Sequence, residues 1–108
     1  MIKKKIAILL PYKENYSESY AGAASIWVKD YLSLSKLKNI TTVYGNLKNN
    51  LRPLTSNFTN IDISGKIIRK NLKYTDILYK NYLKKKYSII EIHNRPESLL
   101  FLIKKKID

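Results

Sequence analysis

The sequence contains no cysteine and a single histidine among its 108 residues, and both shortages limit its chemistry. Without cysteine, neither a disulfide framework nor a thiolate zinc site can form. With one histidine, a transition-metal centre built only from protein side chains is disfavoured, so we expect no metal site. We also predict no resident cofactor. No apolar run reaches the roughly 18 residues that a transmembrane helix needs, and the apolar stretch near the start is too short for a signal peptide. These absences predict one cytoplasmic domain covering residues 1–108.

Glycine is also scarce, with three residues in the chain. The patterns GxxxxGK[ST] and GxGxxG are both absent, which argues against a P-loop nucleotidase and an ordinary dinucleotide-binding site. The one cluster of small residues is Gly22-Ala23-Ala24, at the start of a predicted helix. Backbone N–H groups can approach an anion there without obstruction by side chains, although tight packing of the helix on a sheet explains small residues equally often.

Negative charge is scarce as well, since eight acidic residues stand against 21 basic residues and the net charge is +13. Lysine and arginine gain affinity for nucleic acids by releasing counterions from phosphates, so the charge by itself suggests an anionic partner. Lysine, asparagine and isoleucine dominate the composition, however, and an AT-rich coding sequence produces that bias without any functional cause. The positions of the lysines in the fold must therefore decide between the two explanations.

Hydrophobic periodicity predicts four strands and three helices in the order β-α-β-β-α-β-α. The first strand is a continuous apolar run, which is typical of a strand buried on both faces, and the fourth strand is also apolar apart from Ser88 and Glu91. A polar, turn-rich loop at residues 11–20 follows the first strand and is long for a connection to a helix. The predicted strands are residues 5–10, 40–44, 60–63 and 88–92, and the predicted helices are residues 21–35, 64–86 and 96–106.

Helical spacing also predicts which side chains face the sheet. Lysines close the second and third helices, where cations meet the negative end of the helix dipole. The predicted inward faces are Ala24, Trp27, Val28, Tyr31, Leu32 and Ser35 on the first helix, Ile68, Leu72, Thr75, Tyr79 and Leu83 on the second, and Leu99, Leu102 and Ile103 on the third.

This order of elements predicts an α/β fold, a Rossmann-like three-layer sandwich with a mostly parallel sheet of about four strands. Right-handed crossovers give the strand order 3-2-1-4, so that the first and fourth strands are neighbours where the winding reverses. Ligands bind at such a point, outside the carboxyl ends of the strands. We therefore expect the loops at residues 11–22 and 93–96 to line one crevice.

The fourth strand runs directly into His93, Asn94, Arg95 and Pro96, and of these His93 and Arg95 are candidates for ligand binding. A histidine in the crevice can hydrogen-bond to sugar hydroxyls, and an arginine can bind phosphate or carboxylate through two parallel hydrogen bonds. The ordinary alternative is that His93 is a satisfied loop residue and that Arg95 pairs with a nearby glutamate.

The predicted topology gathers three lysine runs at the amino-terminal edge of the sheet, opposite the crevice. Solvated helix ends are the simplest explanation of these runs. A basic patch that docks on anionic lipid is the second, since each lysine near such a surface contributes about 1 kcal/mol. Nucleic acid is the least favoured partner, because the sequence has no stacking motif, zinc finger or helix-turn-helix signal. The runs are Lys3, Lys4 and Lys5; Lys84, Lys85 and Lys86; and Lys104, Lys105 and Lys106.

Both ends of the sequence resemble the family 4 glycosyltransferases of the GT-B fold. The first strand KIAILLPY and the helix segment GAASIWVKDYL are similar to the opening of that family, and YSIIEIHNRPESLLFLIKK is similar to its fourth strand and following helix. The resemblance implies transfer of a sugar from a nucleotide-sugar to an acceptor, with retained anomeric configuration and usually without a metal. It implies that Gly22 and Ala23 lie by the nucleotide-sugar phosphates. It also implies that the acceptor pocket is flanked by His93, Asn94, Arg95 and Pro96.

The family's donor-binding domain and the later part of its acceptor domain have no counterpart in these 108 residues. Since transfer requires donor and acceptor to be held between two domains, we expect a partial acceptor-side domain that is not catalytically competent alone. Such a domain would serve envelope or polysaccharide biosynthesis, in the cytoplasm or at the inner face of the membrane. We also expect the fourth strand to have an exposed edge, and self-association to cover it. The alternatives are a non-enzymatic basic module that binds an anionic membrane or nucleic acid, and a remnant of the enzyme without activity.

Overall fold

The computed structural model describes residues 5–11, 15–18, 22–47, 51–61, 70–93 and 96–105. Strands and helices follow the predicted order, with a 3₁₀ turn before the second strand. The elements are β1 (Ile6–Leu9), α1 (Ala23–Leu34), the 3₁₀ turn (Lys38–Ile40), β2 (Thr41–Gly45), β3 (Phe58–Asn60), α2 (Lys70–Lys85), β4 (Ile89–Ile92) and α3 (Pro96–Lys104).

The four strands form one parallel sheet in the order β3-β2-β1-β4, which confirms the predicted Rossmann-like α/β fold and its strand order. β1 lies in the centre, where Leu9 is aligned with Tyr44 of β2 on one side and with Ile92 of β4 on the other. β1 and β4 are therefore neighbours, and their carboxyl ends meet at the point where the winding reverses.

Alternation of side chains along β1 separates two apolar layers. Ile8 and Leu10 pack with Val28 and Leu32 of α1, on one face of the sheet. Ala7 and Leu9 lie on the opposite face, in a cluster to which α2 and α3 both contribute buried side chains. The continuous apolar run of the first strand is explained by this burial on both faces.

α1 lies over β1 and β2. The predicted inward face of this helix is only partly right. Ala24, Val28 and Leu32 are buried as predicted. Trp27 and Tyr31, also predicted to face inward, are 52% and 42% exposed, because they lie on the flank of α1 that extends toward β4. Helical spacing identifies an apolar arc but carries no information on how far the sheet extends beneath it.

The predicted inward faces of the other two helices are also only partly right. On α2, Tyr74 and Leu78 are buried together with the predicted Thr75, whereas the predicted Leu83 is about half-exposed. On α3, Leu102 is buried as predicted. The predicted inward-facing residues Leu99 and Ile103 are half-exposed, because they lie beside the open edge of β4. Ile68 of the predicted second helix lies outside the described residues.

The third strand begins earlier than predicted and is short. β3 covers Phe58–Asn60 in place of residues 60–63, and it pairs with the carboxyl half of β2. Residues 62 and 63 lie outside the described part of the chain. Among the residues that the structure describes, no helix is both long and apolar enough to cross a membrane.

Candidate functional site

His93 is fixed at the carboxyl end of the sheet, next to β1. Its backbone N–H donates to the carbonyl oxygen of Leu9 at 3.1 Å, which continues the β1–β4 pairing by one residue. Because side chains alternate along a strand, His93 and Glu91 project from the same face of β4. Their side chains meet, with His93 Nε2 lying 2.9 Å from Glu91 Oε2. This contact fixes the orientation of an imidazole that is 18% exposed.

Two aromatic residues of α1 extend the surface around His93. The ring centroids of Trp27 and His93 are 5.5 Å apart, with the planes tilted by 52°. Tyr31 lies one helical turn after Trp27, and the two rings are stacked at 5.3 Å with an angle of 4° between their planes. Trp27, Tyr31 and His93 thus form a partly exposed surface, which we call the aromatic shelf.

The first turn of α1 lies beside the aromatic shelf. Gly22 is the N-cap residue and has an extended backbone, and the helix starts at Ala23, one turn before Trp27. Within the described residues, no side chain caps this end of the helix and no acidic residue occupies its first turn. Backbone N–H groups at such a helix end attract anions. Ala23 lies four residues before Trp27 and therefore on the same face of α1, and Gly22 immediately precedes it.

The predicted site is described only in part. Gly22, Ala23 and His93 are brought to one end of the sheet, as the topology required. Asn94 and Arg95 lie outside the described residues, as do residues 12–14 and 19–21 of the preceding loop. Trp27 was assigned to the core by its helical spacing, so sequence reasoning missed the residue that contacts His93. The sequence feature that could have identified Trp27 was the surplus of aromatic side chains at one side of the predicted apolar face.

Residues 15–17 of the polar loop after β1 are buried in the structure. Tyr16 is fully buried, and its ring is stacked on Phe58 at 5.2 Å. Its hydroxyl makes a hydrogen bond of 2.9 Å with Thr55, and its backbone N–H donates to Asn46 at 3.2 Å. Burial raises the pKa of the Tyr16 phenol, and the hydrogen bond with Thr55 opposes this in part. Residues 15 and 16 are thus held beside the carboxyl end of β2.

A buried polar cluster supports the start of α3, which follows the His93 loop. Ser98 in the first turn of α3 makes a hydrogen bond of 2.8 Å with Thr75 of α2. Asn71 Nδ2 donates to Ser98 Oγ at 3.1 Å, and Thr75 Oγ1 donates to the Asn71 carbonyl oxygen at 2.8 Å. All three side chains are buried between the two helices. Their mutual hydrogen bonds offset the cost of removing them from water, and they fix where α3 begins.

No protein-family model, no curated protein and no solved structure matches this chain. The family 4 glycosyltransferase resemblance therefore rests on the sequence segments at the two ends of the chain, and it stays a prediction. Among the described residues, no group of three histidine, cysteine, aspartate or glutamate side chains could hold a metal ion. What the structure does provide is an aromatic shelf, a His–Glu pair and a helix N-terminus at the reversal point of a Rossmann-like sheet.

Proposed function

We propose that the crevice beside the aromatic shelf binds a sugar, as the acceptor-side portion of a retaining, nucleotide-sugar-dependent glycosyltransferase. The observation that carries this proposal is the contact between Trp27 and His93, combined with the pairing of His93 and Glu91 at the carboxyl end of β4. Small-molecule sites combine aromatic walls with a few placed polar groups, and they occur at this point of open α/β sheets. The resemblance at both ends of the sequence supports the same assignment.

Each group has a distinct part in the proposed binding. The exposed faces of Trp27 and Tyr31 supply apolar area for the C–H face of a sugar ring. In the tautomer that donates from Nε2 to Glu91, His93 offers Nδ1 as an acceptor for a sugar hydroxyl. The first-turn amides at Gly22 and Ala23 bind the phosphate of a nucleotide-sugar.

The role proposed for these residues is binding and positioning, and no bond-breaking step is assigned to them. Glycosyl transfer requires donor and acceptor in near-attack geometry, with groups on both sides of the reacting atoms. In this proposal, the described residues supply one wall of such a site. The proposed setting is the biosynthesis of envelope or other polysaccharides at the cytoplasmic side of the membrane.

The proposal is tested by calorimetric titration of the chain with a panel of nucleotide-sugars and free sugars. We expect saturable binding to at least one of them, weakened about tenfold or more by His93→Ala and by Tyr31→Ala, which corresponds to about 1.4 kcal/mol. Leu34→Ala is the matched control, because Leu34 lies on the same helix and is almost fully exposed. Binding that survives both site variants unchanged, or no saturable binding to any member of the panel, would contradict the proposal.

The lysines favour a second candidate, docking of the amino-terminal edge of the sheet on an anionic membrane. The backbone N–H of Ser88 donates to the Lys5 carbonyl oxygen at 2.7 Å, so β1 and β4 begin side by side. α2 and α3 both end at this edge, and their last turns carry Lys84, Lys85 and Lys104. The ammonium group of Lys105 lies 5.5 Å from the centre of the Tyr79 ring, so cations and aromatic rings are mixed here. Such a mixture suits the interface of an anionic bilayer.

Vesicle co-sedimentation separates this candidate from the first. We expect binding to vesicles that contain phosphatidylserine, and weaker binding after Lys84→Gln combined with Lys85→Gln. Lys73→Gln combined with Lys80→Gln removes the same charge from the exposed side of α2 and is the control. If RNA binds more tightly than the vesicles, and with the same dependence on Lys84 and Lys85, the lipid assignment fails and nucleic acid becomes the partner.

A further inference from the structure

α1 has a second exposed flank, opposite the aromatic shelf. Lys29 is two residues after Trp27, so its side chain leaves the helix about 200° around the axis from the indole. Lys29 and Ser33 on this flank line a cavity of about 560 Å³ between α1 and residues 54–57. A volume of this size is typical of small-molecule sites.

The groove combines an apolar floor with polar walls. Leu32 and Leu54 form the floor, and both pack against the core on the α1 face. The wall opposite α1 is held in place, because Asn57 Nδ2 donates to the Thr41 carbonyl oxygen at 2.5 Å. Thr55 in the same wall is hydrogen-bonded to the buried Tyr16. These contacts anchor the wall to β2 and to the core, so the groove is preformed.

Positive charge dominates the lining of this groove. Lys29 and Lys38 both line the 560 Å³ cavity. A second cavity of about 480 Å³ shares Lys29 and Leu54 with the first and adds Arg52, and its described lining contains a single carboxylate, that of Glu18. Within the described parts of the chain, none of these three cations forms an ion pair. A cleft lined by charge of one sign concentrates its field and attracts ligands of the opposite sign.

We propose that this groove binds a small organic phosphate, with the phosphate on Lys29 and Lys38 or Arg52 and the organic part on Leu32 and Leu54. Ammonium and guanidinium groups form charge-assisted hydrogen bonds with phosphate oxygens, and these bonds are stronger than neutral ones. The apolar floor gives an organic phosphate an advantage over an inorganic anion. This site is separate from the proposed sugar crevice, because it lies on the other flank of α1 and shares no residue with the aromatic shelf.

The size and chemistry of the groove favour a small ligand over a nucleic acid. The described lining contains no aromatic side chain on which a base could stack. The cations lie along one bounded groove, whereas a phosphate backbone is bound by a track of basic residues across a surface. Hydroxyl and amide side chains of Ser33, Ser56 and Asn39 complete the lining and suit the oxygens of a small polar ligand.

The test uses AMP as the probe, in calorimetric titrations at an ionic strength of about 0.15 M, where charges more than about 8 Å apart are largely screened. We expect saturable binding that Lys29→Gln weakens about tenfold and that Lys29→Arg largely retains. Lys73→Gln removes the same charge from an exposed position of α2 on the opposite face of the sheet, and it should change the affinity by less than about twofold. Equal weakening by Lys29→Gln and Lys73→Gln would mean diffuse attraction by the net charge of +13 and would overturn the proposal.

Amide chemical shifts locate the bound AMP independently. In ¹⁵N-labelled protein, we expect AMP to move the resonances of residues 29–33 and 54–57. Shifts confined to Gly22, Ala23 and His93 would place the nucleotide in the crevice beside the aromatic shelf and would overturn this assignment. The absence of saturable AMP binding would also overturn the proposal.

Discussion

Trp27 and His93 belong to different layers of the fold, and their ring centroids nevertheless lie 5.5 Å apart. The contact forms because β4 carries His93 one residue past the end of its pairing with β1, while α1 extends its Trp27 flank beyond β1. A single helix thereby offers two surfaces, aromatic toward β4 and cationic toward residues 51–57. The core-facing arc of α1, with Ala24, Val28 and Leu32, separates them.

Substitution of Glu91 tests whether the orientation of His93 matters. Glu91→Ala removes the carboxylate that lies 2.9 Å from His93 Nε2, so the imidazole can rotate. We expect sugar binding to weaken, but by less than with His93→Ala, because the ring remains present. The free energy of unfolding should change by less than about 1 kcal/mol, since the pair is partly exposed. Calorimetry and urea unfolding measure the two effects, and a large loss of stability with unchanged binding would show a structural role instead.

Tyr16 is expected to be the main anchor of the loop after β1. Tyr16→Ala removes a fully buried ring that is stacked on Phe58, and similar deletions cost about 3–5 kcal/mol. Tyr16→Phe keeps the ring but loses the hydrogen bond with Thr55, and we expect a cost of about 1 kcal/mol. Urea unfolding measures both, with the exposed Leu34→Ala as the control. Equal stabilities of Tyr16→Ala and Leu34→Ala would contradict the anchoring role.

The buried pair of Tyr44 and Tyr87 predicts a loss of stability at alkaline pH. Burial, and secondarily the hydrogen bond with the Tyr87 hydroxyl, raises the pKa of the Tyr44 phenol well above its usual value. In the unfolded chain the phenol ionises at about pH 10. Above that pH the folded state holds a proton that the unfolded state releases, so the free energy of unfolding falls as the pH rises. Below that pH the contribution of Tyr44 to the free energy of unfolding is fully present.

Tyr44→Phe isolates this effect from the titration of the lysines. At pH 7, we expect the variant to be about 1–3 kcal/mol less stable, because the Tyr87 hydroxyl loses its buried partner. The difference in unfolding free energy between parent and variant should shrink above about pH 10. Tyr31→Phe, which removes a partly exposed hydroxyl, controls for the loss of one phenol. A difference that stays constant up to about pH 11 would argue against the raised pKa.

The topology could be predicted from sequence because its determinants are local. The apolar runs around Ile8 and Ile90, the turn signals between elements and the right-handed crossover rule leave one economical strand order. Rotation of the helices about their axes could not be predicted in the same way. Leu83 of α2 and Ile103 of α3 have the right spacing for a core, but their burial depends on whether another layer lies above them, and that is a tertiary property.

The same distinction applies to the candidate site. His93 could be predicted because it directly follows a strand, and the strand order places that position at the reversal point. Trp27 could not be predicted as a site residue, because the width of the sheet under α1 decides whether its ring is buried. Tyr16 could not either, because a tyrosine between polar residues gives no local signal that Phe58 and Thr55, far along the chain, form a pocket for it.

The open edge of β4 predicts self-association. In the described chain β4 pairs with β1 on one side and with no strand on the other, and an unpaired strand edge readily accepts another strand. Beside this edge, Ile90, Leu99 and Ile103 line an apolar cavity of about 160 Å³. We expect two copies to associate through β4 about a twofold axis, which would extend the sheet and cover these side chains.

Self-association at this interface should depend on salt in the opposite direction from anion binding. Each copy carries a net charge of +13, so screening should strengthen association between about 0.05 M and 0.5 M salt, whereas binding to lipid or nucleic acid should weaken. Ile103→Lys should shift sedimentation toward the monomer. Leu100→Lys is the matched control, because Leu100 is 59% exposed against 58% for Ile103 and does not line the cavity. A monomer at high concentration and high salt, or equal dissociation by both variants, would contradict an interface at the edge of β4.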